Sequence, residues 1–294
     1  TSMTVDSDGA RLLATSQLED AATVIPLDGG RPSSLKGLVY GNGGAFSPDG
    51  RLAVVAGARG DVVRRLFLLR ADTAEPVADF ELTGGVTGGV SFEDDGRILS
   101  CGSIGLFKTD PSTGASELLY DAICGRFAVS SDGHRVALVE TDVASSLATS
   151  GRVVVIDLNA GTKRSLESHG DEVWSVAIDP TGAVVATGDR EGVLRVGPVN
   201  GDEPHLLLGH EGRIWDVEFD PLGRWIATGG EDGTVRIWPM PDLSKPPLHT
   251  LPHDELLAKL KSLTNLRVVR DDESETGWTL THDPFPGWET VPTW

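Results

Sequence analysis

Histidines are the first residues in this sequence whose type and spacing could support chemistry. His249 and His253 have the i, i+4 spacing of two metal ligands on one helical face. Pro252 lies between them, however, and the sequence contains no HExxH pattern that would supply a general base. We therefore predict no metal site at this pair, and neither a metal nor a cofactor elsewhere in the chain.

Two glycine-rich stretches, at 41–44 and 84–89, could in principle bind phosphate. Neither stretch ends in the Gly-Lys-Ser/Thr of a phosphate loop or leads into a helical pattern, so turns with positive φ explain them better. The sequence also contains no Gly-x-Ser-x-Gly elbow for a nucleophilic serine. We therefore predict no catalytic residues.

The two cysteines, Cys101 and Cys124, fit neither a CxxC metal knuckle nor a dense disulfide framework. Both lie in apolar, strand-like segments, so we expect buried free thiols. A reducing compartment is compatible with that expectation.

The formal net charge of −19 bears on the possible partners. A surface this acidic repels phosphate backbones, so we expect no nucleic-acid binding. No long apolar run marks a membrane span and no leader pattern opens the chain, so we expect a cytoplasmic protein without membrane insertion. Thr1 leads almost directly into a strand-like segment, from which we expect attached domains upstream.

A repeated unit indicates which elements must position any functional residue. Two apolar strands joined by a glycine turn recur at intervals of 37 to 49 residues, close to the length of one four-stranded propeller blade. The turn glycines are Gly9, Gly50, Gly96, Gly133, Gly182 and Gly223. Turns such as Ser-Pro-Asp-Gly are typical of hairpins, because proline fixes φ and glycine accepts a positive φ.

Two segments carry a resemblance to a known family. Residues 205–238 read HLLLGHEGRIWDVEFDPLGRWIATGGEDGTVRIW, which resembles a nearly complete WD40 repeat, and residues 165–197 resemble a degraded copy. The chain is similar to the WD40 regions at the C-termini of large bacterial proteins that also carry kinase or NTPase domains. The resemblance implies an all-β, WD40-type β-propeller over residues 1–251, with six four-stranded blades.

The resemblance also implies a structural tetrad of hydrogen-bonding side chains within a blade. In the sixth blade the matching residues are His210, Thr228, Asp232 and Trp238. In the fifth blade His169 and Thr187 remain, whereas Glu191 and Gly197 replace the acidic residue and the tryptophan. We expect the other blades to depend on ordinary sheet packing.

Residues 252–294 depart from the repeat. The leucines of residues 254–264 fall on one helical face with Asp254 available as N-cap, and 266–271 with 277–282 resemble a hairpin. The tail ends with Phe285, Trp288 and Trp294, so we expect it to pack on the propeller. Two interpretations stay open, structural closure at a seventh blade position and docking of a partner.

The resemblance implies a non-catalytic scaffold or sensor module of a bacterial signalling protein, which binds a protein or peptide on the central face. The candidate partner-binding residues are Glu172, Trp174, Arg190, Arg213, Trp215 and Glu231. Tryptophan and arginine are enriched in binding hot spots. Alternatively, both tryptophans pack between blades. The competing functions are architectural self-association and, with less support, a propeller hydrolase or lyase.

Overall fold

The repeats fold into six antiparallel sheets, each of which forms one blade of a β-propeller. The computed structural model describes residues 2–16, 22–58, 64–82, 86–141, 151–170, 172–263, 267–271, 274 and 277–281. The chain divides into two compact units, Thr1–Leu243 and Ser244–Trp294. The first unit contains the six blades.

Within each blade the strands follow one another in chain order from the innermost outward. The innermost strands are β1 (Ser2–Val5), β5 (Val39–Phe46), β9 (Val86–Phe92), β13 (Cys124–Val129), β17 (Val173–Ile178) and β21 (Ile214–Phe219). The second strands are β2 (Arg11–Thr15), β6 (Leu52–Ala58), β10 (Ile98–Gly102), β14 (Arg135–Glu140), β18 (Val184–Asp189) and β22 (Trp225–Gly230). The third strands are β3 (Ala22–Pro26), β7 (Arg64–Arg70), β11 (Leu106–Thr109), β15 (Arg152–Asp157), β19 (Val193–Pro198) and β23 (Val235–Pro239). The fourth strands are β4 (Ser33–Leu35), β8 (Pro76–Glu81), β12 (Ser116–Tyr120), β16 (Thr162–Ser165) and β20 (His205–Leu208).

The glycine turns connect the first and second strands as the sequence predicts. In blade 2, Gly50 has a φ of +66° and its N–H donates to the Ser47 carbonyl at 2.8 Å. Asp49 accepts the N–H of Arg51 at 3.0 Å, which is the local bond that makes aspartate a common turn residue. The turn is therefore held by hydrogen bonds among its own residues.

In the described part of the chain the core consists of five separate apolar clusters, and each cluster joins two successive blades. Most residues of the second strands are apolar, and in the inner blades these strands are covered on both faces: every residue of β10 and of β18 is buried. Among the described residues, no cluster joins blade 6 to blade 1. Each blade therefore depends on its neighbours, and blades 1 and 6 each have one neighbour of this kind.

Blade 6 departs from the expected four strands, since in the described residues its sheet contains β21, β22 and β23 and no fourth strand. In the other blades the fourth strand begins five to seven residues after the third ends. The equivalent segment after Pro239 contains Pro246 and Pro247, which have no N–H to donate to a sheet. Residues Leu248–Thr250 form a 3-10 turn instead, and no described strand pairs with the outer edge of β23.

The prediction of free thiols is wrong. Cys101 at the end of β10 and Cys124 at the start of β13 form a disulfide, with their Cα atoms 5.7 Å apart and both side chains buried. The propeller places these strands in adjacent blades, and that proximity is not apparent from a separation of 23 residues in the sequence. The disulfide links blade 3 to blade 4.

The second unit contains a helix and a two-stranded sheet. Helix α1 spans His253–Leu263, so it begins one residue before the predicted cap, and Asp254 lies in its first turn. Strands β24 (Arg267–Arg270) and β25 (Trp278–Thr281) pair antiparallel, which confirms the predicted hairpin. The aromatic residues Phe285, Trp288 and Trp294 lie outside the described residues.

Candidate functional site

The four tetrad side chains of blade 6 meet in one hydrogen-bonded chain. His210 Nδ1 lies 3.0 Å from the Asp232 carboxylate, and its Nε2 lies 2.7 Å from Thr228 Oγ1. Trp238 Nε1 donates to the same hydroxyl at 2.8 Å. Because the tryptophan can only donate and the carboxylate only accept, the Thr228 hydroxyl donates to Nε2 and Nδ1–H donates to Asp232. Every member of this chain has a partner.

Asp232 also organises the turn that precedes β23. Partial burial acts to raise the pKa of Asp232, but hydrogen bonds from Thr234, the Glu211 N–H and His210 outweigh it and hold the pKa well below its usual range. The carboxylate therefore stays ionised and keeps accepting bonds from the turn and from the imidazole. This arrangement is structural, since the imidazole is fully buried.

Blade 5 retains half of this arrangement. His169 Nδ1 lies 2.9 Å from Thr187 Oγ1, whereas the buried Nε2 has no hydrogen-bond partner among the described residues. At Gly197 a Cβ would lie 2.9 Å from Pro204 and 3.2 Å from His169 Nε2, so a tryptophan has no room there. Burial, with a smaller effect from Arg195, lowers the pKa of His169 to about 4. The imidazole is therefore neutral at physiological pH.

Asp189 was not predicted, and it takes over one part of the role of the missing tetrad acid, the organisation of the turn before the third strand. Its Oδ1 accepts the N–H groups of Glu191 at 2.9 Å and Val193 at 2.8 Å, and its Oδ2 pairs with Arg195 at 2.5 Å. Glu191, at the expected position, is exposed. An aspartate ahead of a polar turn was the available signal in the sequence.

Beta-bulges position the two candidate tryptophans. The register between first and second strands shifts at Val173/Ser175 in blade 5 and at Ile214/Asp216 in blade 6. Trp174 and Trp215 are the extra residues at these shifts. A bulge redirects the side chain of its extra residue, which is why bulges often occur beside binding sites.

The bulges bring the two indole rings together around one arginine. Arg213 Cζ lies 3.7 Å from the ring centroid of Trp174 and 4.5 Å from that of Trp215. The two rings meet edge to face, with centroids 5.8 Å apart and an interplanar angle of 85°. A guanidinium over an aromatic face is attracted by the ring quadrupole, so the three side chains hold one another in place. We call these three residues the Trp–Arg cluster.

The acidic candidates lie at the strand ends beside the Trp–Arg cluster. The Arg213 N–H donates to Glu231 Oε2 at 3.2 Å, and the Glu231 N–H donates to the Arg213 carbonyl at 2.7 Å. In blade 5, Val173 pairs with Asp189. Glu172 directly precedes Val173 and Arg190 directly follows Asp189, so these two residues occupy the positions that Arg213 and Glu231 occupy in blade 6. Both side chains are exposed. The structure thus places a charged rim beside the aromatic rings.

The two tryptophans differ in burial, so one of them fits the interpretation as packing between blades and the other fits the interpretation as a binding residue. Trp174 is half-buried between blades 5 and 6, and its Nε1 has no hydrogen-bond partner among the described residues. Trp215 is 40% exposed. One tryptophan therefore packs between blades and supports the arginine, and the other presents its ring to solvent.

Two carboxylates lie farther along the inner strand of blade 6. Arg126 Nη1, from blade 4, reaches to 3.8 Å from Asp216 Oδ1. Glu218 is accessible to solvent, but it lies in the concave inner part of the ring, where surrounding protein limits its hydration. That desolvation, together with the neighbouring Asp216 carboxylate, raises the pKa of Glu218 to about 7.

Other classes of site find little support in the described part of the chain. A cavity of about 240 Å³ lies between blades 4 and 5, away from the Trp–Arg cluster, with Arg135 and Arg164 in its lining. Arg135 already interacts with the Gly182 carbonyl at 2.8 Å and with Asp157 at 3.5 Å.

No group of three or more described His, Cys, Asp or Glu side chains could hold a metal ion. No described helix is long and apolar enough to span a bilayer.

Comparison with known proteins agrees with this architecture. Residues 161–196 and 201–239 match the family model of the WD domain, G-beta repeat. A solved structure described as Kuenenia stuttgartiensis Hydrazine Synthase is similar, with a TM-score of 0.69 and 16% identity over 87% of this chain and 80% of that chain. At such identity the likeness shows the fold alone. No curated protein matches the sequence.

Proposed function

Because the chain is a six-bladed β-propeller with WD40 repeats in blades 5 and 6, we propose that it is a non-catalytic module that binds a protein or peptide at the Trp–Arg cluster. WD40 propellers are commonly interaction scaffolds, so the fold supports the general class of function. The further proposal is the location of the binding surface on the central face, with Glu172, Arg190 and Glu231 at its charged rim.

The observation that carries this proposal is the partly exposed indole of Trp215, held against Arg213 before any partner arrives. Preorganised aromatic and arginine side chains lose little conformational entropy on binding, which is why such residues dominate binding energy. The rim carries both signs of charge, which favours a partner with its own mixture of polar groups. A protein or peptide fits this surface better than a small apolar ligand does.

We also propose that the module serves a bacterial signalling or regulatory protein. The resemblance of its repeats to WD40 regions of multidomain bacterial proteins supports this assignment. In such a protein the propeller would supply recognition and an attached domain would supply the response.

A displayed peptide library, selected against the protein with its Trp215→Ala variant as the counter-selection, tests the binding surface. We expect the selected peptides to bind the wild-type protein at least about tenfold more tightly than Trp215→Ala, since hot-spot truncations cost about 2 kcal/mol or more. The melting temperature should change little, because Trp215 lies in a bulge and is partly exposed.

Trp225→Ala is the matched control. Trp225 is another tryptophan of blade 6 with a similar exposure of 46%, and it lies outside the Trp–Arg cluster. Selected peptides should bind this variant as they bind the wild type. Equal binding to the wild type and to Trp215→Ala, or equal losses in both variants, would overturn the proposal.

A further inference from the structure

We propose that the face of blade 6 turned away from blade 5 is a second interaction surface, which binds a partner polypeptide segment that carries lysine or arginine beside apolar side chains. This inference does not depend on the Trp–Arg cluster. We call the surface the open face and define it by Asp216, Glu218, Trp225, Val235 and Ile237.

The outer part of the open face is apolar and uncovered. Cross-strand pairing places Ile237 beside Ala227, and Trp225 beside Pro239. Val235 is 77% exposed and Ile237 is 60% exposed. These values are high for β-branched residues in a strand. At the equivalent positions of blade 5, Leu194 and Val196 are fully buried in the cluster shared with blade 6, and no cluster of the described residues covers Val235 and Ile237 in the same way. Clustered exposed apolar residues are typical of interaction sites.

The inner part of the open face carries charge where the same face of blade 5 is apolar or neutral. The registers align Asp216 with Ser175 and Glu218 with Ala177. Ser175 and Ala177 are almost fully buried, and the Ser175 hydroxyl donates to the Ile214 carbonyl at 3.2 Å across the contact with blade 6. A further blade packed in the same way would bury two carboxylates, at a high desolvation cost. The open face is therefore suited to a different kind of occupant.

The charges of the open face specify the chemistry of that occupant. Arg126 partly compensates Asp216 at 3.8 Å, whereas Glu218 has no ion-pair partner among the described residues. Between Ile214 and Leu243 the sequence contains six carboxylates and two arginines. A cation from a partner would relieve the repulsion between Asp216 and Glu218, while apolar side chains beside it would cover Trp225 and Ile237.

The net charge of −19 disfavours a second copy of this chain as the occupant. Two such chains repel each other, and two open faces would bring four carboxylates together. A basic segment, in contrast, is attracted by the negative charge of this chain. Charge complementarity therefore favours a basic partner over self-association.

A fluorescent octapeptide of alternating lysine and valine tests the open face by anisotropy at physiological salt, with an alternating glutamate and valine peptide as the reference. We expect the lysine peptide to bind and the glutamate peptide not to bind. The double variant Asp216→Asn/Glu218→Gln should weaken binding about tenfold, as truncation of interfacial charges does. Ile237→Thr should weaken it severalfold, and Val235→Thr supplies a second apolar variant at a fully accessible position.

Matched controls separate this surface from general attraction to an acidic protein. Asp94→Asn/Glu117→Gln removes two exposed carboxylates from blade 3, and Val77→Thr alters an exposed apolar residue of blade 2. Both controls should retain the binding of the wild type. Three results would overturn the proposal. The charge control and the open-face double variant could lose equal affinity for the lysine peptide, the apolar variants could bind it as the wild type does, or the wild type could fail to bind it. A dimer in light scattering that Ile237→Thr dissociates would identify a second copy as the occupant and would also overturn it.

Discussion

At the scale of single residues, blades 5 and 6 show how the same pair of side chains behaves with and without a complete hydrogen-bond chain. His210 uses both ring nitrogens, one toward Asp232 and one toward Thr228. His169 bonds only Thr187, and the rest of its ring is enclosed by protein without a polar partner. A buried imidazole without an anion resists protonation, and this difference should be measurable.

The His169 titration predicts a specific loss of stability in mild acid. The pKa of His169 is about 4 in the folded chain and about 6.5 in an unfolded chain, so below pH 6.5 the unfolded state takes up a proton that the folded state rejects. The free energy of unfolding should therefore fall as the pH drops, by about 2 kcal/mol at pH 5 from this group alone.

Urea unfolding at pH 7.5 and pH 5 measures this loss in the wild type and in His169→Gln. The variant should lose less stability than the wild type over this interval, whereas the control His134→Gln, at an exposed position, should follow the wild type. Parallel losses in all three proteins would show that the acid sensitivity has another origin.

At the scale of elements, the disulfide is the one covalent link between side chains of different blades in the described part of the chain. It closes a sequence separation of 23 residues, and a cross-link of that size stabilises a protein by about 3 kcal/mol, mainly by restricting the unfolded chain. Reduction should lower the free energy of unfolding by about that amount. Denaturation with and without reductant measures it, and Cys101→Ala/Cys124→Ala should not respond to the reductant.

Thiol titration of the native protein tests the same link and the expected location together. Cytoplasmic proteins usually keep their thiols reduced, whereas oxidising compartments preserve disulfides. Two free thiols in freshly isolated protein would contradict the pairing of Cys101 with Cys124. A quantitative disulfide would instead weigh against the cytoplasmic location that the sequence suggested.

The elements also show which parts of the structure could be predicted from the sequence. The glycine turns, the apolar second strands and the tail hairpin follow from local chemistry, because Gly, Pro and β-branched residues act over a few positions. The cysteine pairing and the stacking of Arg213 between two rings depend on how neighbouring blades meet, and a local pattern does not contain that information. The three-stranded sheet that the described residues form in blade 6 was partly predictable. Pro246 and Pro247 disfavour a fourth strand, but the repeat pattern led to the expectation of four strands in every blade.

At the scale of the whole propeller unit, stability is shared between neighbours. Each blade contributes part of the apolar cluster that it shares with the next, so blades with two neighbours bury both faces of their second strands. Among the described residues blade 1 shares one cluster, and Met3 on its other face is 68% exposed. Local opening should therefore begin at the ends of the series rather than in its middle.

Hydrogen exchange followed by mass spectrometry tests this gradient. Amides of β14 and β18, which lie in blades with two neighbours, should exchange more slowly than amides of β2 in blade 1. Blade 6 should fall between them, because its tetrad supplies hydrogen bonds that blade 1 lacks. Uniform protection in all six blades would contradict this order and would indicate that the unit opens as a whole.

The contact between Arg126 and Asp216 limits the routes by which a partner can reach the propeller. The arginine belongs to the inner strand of blade 4, and its guanidinium lies 3.8 Å from a carboxylate on the inner strand of blade 6. An extended chain needs a clear width of about 5 to 10 Å, so this ion pair narrows the central opening on the side where it lies. A surface loop of a folded protein, which needs no passage through the opening, would suit that side as well as a loose chain end.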